Sequence, residues 1–139
     1  MNAKRGNLLM FACGSFMIGS LVHSADHLRR GWALPLLGLT PEVFWAGAVI
    51  TVAVAVTLGL AISGNHWAPR VAAAAGLSVA VAVSAAHFAP PWGDFSNSYL
   101  ALNVDPLAWA AALAEVAGAL FAGFVGLATI RRQRLNLAL

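Results

Sequence analysis

Apolar residues dominate four long stretches of the chain, at about 7–30, 42–64, 68–88 and 105–130, and polar residues gather between them. Each stretch is close to the ~20 residues that cross the hydrocarbon core of a bilayer as a helix. Helix is the form expected there, because lipid offers no partners to backbone N–H and C=O groups. The boundaries carry matching chemistry. Thr40-Pro41-Glu42 supplies an N-cap oxygen, a proline at the first helical position and an acid in the first turn. Asp105-Pro106 repeats that start signal, Ser63-Gly64-Asn65 forms a stop, and Pro90-Pro91 ends the third stretch. No soluble domain and no internal repeat is visible. The pattern predicts an all-α fold, an integral membrane four-helix bundle forming one transmembrane domain over 1–139, with an interfacial loop at about 89–104 on the outer side.

Helical spacing sorts the residues of each stretch into faces, because positions three or four apart lie together. Ser15, Gly19, His23 and His27 share one stripe of the first helix, with Asp26 and Arg30 beside its end. The second offers Gly47, Thr51, Ala55, Gly59 and Ser63. The third offers Ala80, Ser84 and His87. The last offers Ala108, Ala111, Glu115, Gly118 or Ala119, Ala122 and Gly126. Small residues in membrane helices mark contacts where backbones approach closely. A compact bundle with all four small, weakly polar stripes turned inward is therefore expected.

Composition supports lipid as the solvent. Of 139 residues, 60% are hydrophobic and 9% charged, against roughly 25% charged in soluble domains. The formal charge of +3 is small and lacks the dense basic patch of a nucleic-acid binder. It reads instead as a topology signal. With both termini cytoplasmic, that side holds Lys4, Arg5, Arg70, Arg131, Arg132 and Arg134, and the outer side only Arg29 and Arg30, as the positive-inside rule prefers. Trp32, Trp45, Trp92, Phe95, Tyr99 and Trp109 then fall in an outer aromatic belt, with Asp94, Ser96, Asn97 and Ser98 toward water, and Trp67 falls on the inner side. The alanine, glycine and arginine usage points to a bacterial cytoplasmic membrane. A competing expectation is that Lys4, Arg5 and Leu8–Val22 form a secretory signal peptide, although a discarded segment would not need the polar stripe of His23 and His27. Cys13 is the only cysteine, which excludes an intrachain disulfide and a cysteine-based zinc site within one chain.

The ionisable residues inside these stretches carry the functional expectation. Glu115 lies ten positions beyond Asp105, about 15 Å along its helix. His23 lies seven positions before Arg30, about 10 Å in from that end. His87 closes the third helix. An unpaired ionised Glu115 in hydrocarbon would cost several kcal/mol, so it must be neutral, paired or beside a wet cavity, and His23 is the partner at matching depth. His66, next to Trp67 in the inner loop, is remote from these groups.

Histidines at i and i+4 can hold one ion together. "HSADH" at 23–27 has that spacing but lacks the glutamate that zincins use as base. His23, His27 and His87 with Glu115, Asp26 or the loop residue Asp94 form a candidate metal site that suits copper, zinc or iron, serving redox, hydrolytic or metal-delivery chemistry. The same histidines could instead serve as axial ligands of haem b, without any CxxCH attachment motif. They could equally form a proton or solute path with Glu115, or simply bond across helices in a non-catalytic accessory subunit or assembly factor of a larger membrane complex, or in a homo-oligomer. No nucleophile triad, phosphate-binding loop or nucleotide fingerprint is present, and no nucleic-acid partner is expected.

Overall fold

The computed structural model of the chain describes residues 3–30 and 41–137. They form five helices: α1 (Ala3–Arg29), α2 (Pro41–Ile62), α3 (Ala68–Phe88), a single turn α4 (Tyr99–Leu102) and α5 (Pro106–Leu137). All but α4 are long and apolar enough to cross a membrane.

The helix ends follow local chemistry. Pro41 is the first residue of α2; Thr40, its expected cap, and Trp32 lie outside the described residues. α2 stops at a Schellman turn, in which Asn65 N–H donates to the Leu60 carbonyl and Gly64 N–H to that of Ala61. Gly64 takes a left-handed φ of 63° there, a conformation that costs other residues steric strain. Asp105 caps α5: its Oδ1 accepts from Ala108 N–H at 3.0 Å, and Pro106 follows at the first helical position.

α5 is the central helix. It lies between α1 and α3, antiparallel to both, and α2 packs more sparsely against α1 and α3. Small residues set the closeness of the α5 contacts. A Cβ on Gly19 would stand 2.6 Å from the Ala114 carbonyl oxygen, and one on Gly118 would stand 2.8 Å from that of Ser15. Ala12, Ala80, Ala119 and Ala122 surround Phe16 in the middle of the bundle, and Leu9, Cys13, Ala61 and Ala72 pack near the end where the chain begins. Large apolar side chains point the other way. Phe11, Ile18, Val49, Val52, Val81 and Phe124 are all exposed. A small-residue interior inside a coat of large apolar side chains is what van der Waals packing between helices in lipid requires.

The stripes foreseen on α1, α3 and α5 are largely packed inside: His23, Ala80, His87, Ala108, Ala111, Glu115, Ala119 and Ala122 are buried. The α2 stripe is not. Gly47, Thr51, Ala55, Gly59 and Ser63 are exposed, and the packed face of α2 instead presents Ile50, Val54, Thr57 and Ala61. Space explains the difference. A Cβ on Gly47 or Gly59 would meet nothing within 4 Å, so no neighbour exploits their smallness, whereas the gap beside α1 and α3 takes branched side chains.

Candidate metal centre

The C-terminal ends of α1 and α3 meet at one end of the bundle beside the N-terminal half of α5, and this brings His23, His27, His87 and Glu115 together. His23 and His27 are one helical turn apart on α1, with ring centroids 4.5 Å from each other. The His87 ring on α3 lies 4.8 Å from that of His23 and 5.5 Å from that of His27. One donor atom from each of the three falls within 4.8 Å of the others. His23 and His87 are buried and His27 is half-buried.

Neighbouring groups fix how two of these rings are oriented. His23 Nδ1 pairs with Oε2 of Glu115, the depth match expected from the sequence. Donation from Nδ1 to the carboxylate leaves Nε2 as the lone-pair nitrogen. His87 Nδ1 donates to the Asn97 carbonyl at 3.1 Å, since a carbonyl can only accept, and again Nε2 is left to coordinate. His27 Nδ1 accepts from the Arg30 guanidinium at 3.3 Å.

The other foreseen residues are placed differently. Asp26 is buried, and its two oxygens accept from Arg29 and Arg30, each at 2.7 Å. Its carboxylate thus serves the arginines. Asp94 is exposed in the loop after α3. Glu115 stands behind His23, with Oε2 on the imidazole and Oε1 buried without a hydrogen-bond partner among the described residues.

Three participants went unforeseen. Tyr99, assigned to an aromatic belt, is only 2% exposed. Its ring lies 4.5 Å from that of His87, and its hydroxyl accepts from Arg30 at 3.0 Å and faces His23 Nε2 at 3.4 Å. Burial holds its phenol above the ordinary tyrosine value, against the pull of the nearby Arg30. Asn97 and Ser98, expected toward water, are buried as well. The loop folds back on the end of α3: Asn97 N–H donates to the Ala86 carbonyl, Ser98 Oγ to that of Ala89 at 2.6 Å, and Trp92 Nε1 to that of Ala85 at 2.8 Å. These bonds satisfy carbonyls that the helix end leaves without partners. Arg29 also bonds both oxygens of Asp105, at 3.0 and 2.8 Å, linking α1 to the start of α5. The Ala108 N–H, and then Arg29, hold the exposed Asp105 carboxyl below its ordinary value.

A cavity of about 310 Å³ adjoins the histidines. His23, His27, His87, Glu115 and Asn97 form its polar end, while Ala46, Ile50, Ala82, Val83 and Ala86 line its apolar walls and Trp92 and Phe95 stand in the folded-back loop. The arrangement has the chemistry of a three-nitrogen metal site: imidazoles from two helices, with a carboxylate and a carbonyl fixing the far nitrogens of two of them. His66 is exposed beside Trp67, away from this cluster. Comparison with family models, curated proteins and solved structures finds no match to this chain.

Proposed function

We propose that the protein is an integral membrane protein that binds one transition-metal ion through His23, His27 and His87. The observation that carries this is the convergence of three imidazole donors within 4.8 Å of one another, with His23 backed by Glu115 and His87 by the Asn97 carbonyl. Metal-ligating histidines almost always donate their second nitrogen in this way, which orients the ring and raises its basicity. Neutral imidazoles suit zinc, copper or iron. Three protein ligands leave a further position for a small molecule, the pattern of catalytic and delivery sites rather than closed structural ones. A single ion suits the cluster better than haem, whose axial ligands must stand on opposite sides of a macrocycle.

The bundle resides in a membrane with both termini cytoplasmic, in a bacterial cytoplasmic membrane on the composition. Arg70, Arg131, Arg132 and Arg134 sit at the end where the chain starts and finishes, and Arg29 and Arg30 at the histidine end. The positive-inside rule then turns the site outward. The test is elemental analysis of detergent-purified protein. Copper, zinc or iron near one equivalent is expected, falling to background in a His23→Ala/His87→Ala double variant. Metal-free protein after purification and reloading would overturn the proposal.

A second role has its own support. The exposed α2 stripe of Gly47, Ala55 and Gly59 is a surface that a helix of another subunit could approach closely, as expected of an accessory subunit in a larger complex. Co-purification of a larger complex with colourless, metal-free protein would favour it.

A further inference from the structure

The cavity beside the histidines holds polar groups that neither the fold nor the metal site uses. Asn97 is 3% exposed, and both its Oδ1 and Nδ2 lack hydrogen-bond partners among the described residues; Glu115, also 3% exposed, has its Oε1 in the same condition. Both residues line the cavity. Buried polar atoms are nearly always satisfied, and leaving one unpaired costs about as much as a lost hydrogen bond or more. Two such side chains at the polar end of a chamber with apolar walls amount to a half-built hydrogen-bonding site.

The chamber's opening indicates where its occupant comes from. Gly47 and Thr51 on α2 and Ala82 on α3 are exposed yet line it. Thr51 lies ten residues beyond Pro41 and Ala82 six before Phe88, about 15 Å and about 9 Å from those helix ends. In a bilayer these positions face acyl chains, so the mouth between α2 and α3 opens sideways into lipid. The head must both donate and accept, to satisfy a carboxyl oxygen and a carboxamide. A cation would have to shed its hydration to reach this mouth through acyl chains. An anion would confront Glu115. A neutral hydroxyl meets every condition.

We infer that this cavity binds an uncharged, lipid-dissolved molecule with a hydroxyl head, a phenol being the simplest member, which enters between α2 and α3 and offers its hydroxyl to Asn97 and Glu115. The inference rests on the membrane placement proposed above, and it stands whether or not a metal is bound. A volume of about 310 Å³ is at the lower end for small-molecule pockets and suits a substituted ring.

The test uses the full chain in phosphatidylcholine vesicles with a phenol carrying an alkyl-diazirine tail, and maps the photo-crosslinks by mass spectrometry. Labels are expected on cavity walls such as Ile50 and Val83. Added 2,3,5-trimethylphenol should suppress them, and its methyl ether should compete about tenfold less well, as the loss of one buried hydrogen bond to a charged acceptor implies. Gly47→Leu, whose side chain meets no protein atom at its base, should block the mouth and abolish labelling. Asn97→Ala breaks no side-chain hydrogen bond within the described residues, so it should preserve thermal stability while weakening phenol competition severalfold. Labelling spread over lipid-facing Val49, Val52 and Phe124, or equal competition by phenol and ether, would overturn the inference. Cobalt(II) titration of the same samples separates the two proposals: labelling without cobalt binding removes the metal alone, and cobalt binding with diffuse labelling removes the phenol site alone.

Discussion

If Glu115 supports the metal through His23, changing its carboxyl to a carboxamide should weaken metal binding by a predictable factor. Glu115 and His23 are 3% and 5% exposed, and Oε2 pairs with Nδ1, so little solvent is available to replace the bond. A carboxylate accepting from a metal-bound imidazole forms a charge-assisted bond of about 1.5–3 kcal/mol, while a neutral amide oxygen forms one of about 0.5–1.5 kcal/mol. The difference, about 1–1.5 kcal/mol, corresponds to about 5–15-fold in affinity. Glu115→Ala removes the acceptor altogether and should cost about 10–100-fold, the range for supporting residues of this kind. Titration of detergent-solubilised protein with cobalt(II), followed by its visible ligand-field absorption, measures all three proteins against His87→Ala, which loses a ligand outright. The expected order of affinity is wild type, Glu115→Gln, Glu115→Ala, His87→Ala. Circular dichroism checks that each variant remains helical. If the glutamine and alanine variants both bind cobalt within twofold of wild type, Glu115 does not act on the metal. If His87→Ala also binds normally, the triad itself is refuted.

Gly19→Leu should destabilise the bundle by at least about 1–3 kcal/mol through overpacking, because the Ala114 carbonyl occupies the space its Cβ needs, whereas Gly59→Leu should be close to neutral; thermal denaturation in detergent compares the two. For Asp105 the direction of linkage follows from its lowered folded-state pKa. Its contribution is fully present above the ordinary value of 3.8 and is lost as pH falls through the lower folded-state value. The drop in denaturation temperature below about pH 4 should therefore be smaller in Asp105→Ala than in wild type, and an unchanged acid limb would refute the role given to this cap.

The sequence made legible whatever depends on helical phase and rise alone. Gly19 and His23 fall on the packed face of α1, and Glu115 reaches His23 because ten residues of helix fix its depth whatever its neighbours are. The face that α2 buries is a different kind of quantity. Its residues are apolar or small on every side, so period alone cannot choose between the Gly47–Gly59 stripe and the Ile50–Val54–Thr57–Ala61 face. The choice depends on how much room α1 and α3 leave. Tyr99 and Asn97 were missed for a related reason. Composition ties such loop residues to an interface, but the Asn97 N–H bond to the Ala86 carbonyl and the single turn of α4 re-aim them inward. Such non-local bonds leave no periodic trace.

The chain is sparing of charge, and three of its five acidic residues, Asp26, Asp105 and Glu115, are bonded into one network at the histidine end. They are connected. Asp105 accepts from Arg29, Arg29 and Arg30 both donate to Asp26, Arg30 donates to Tyr99, and Tyr99 faces His23, which pairs with Glu115. The chain of contacts begins at the exposed cap of α5 and ends well inside that same helix, crossing α1 and α4 between. A merely structural pin between α1 and α5 would need only the Arg29–Asp105 pair, since the small-residue contact at Gly19 already sets their separation. Carrying the bonds inward through Asp26, Arg30 and Tyr99 adds the desolvation of further charged and polar groups, an expense that packing alone does not require. What the additional links do is hold Tyr99 against His23 and His87 and Arg30 against His27. Their physical effect is to fix the imidazole positions at one end of the bundle, and a metal ion bound there would take over the His23 and His27 lone pairs that Tyr99 and Arg30 meet.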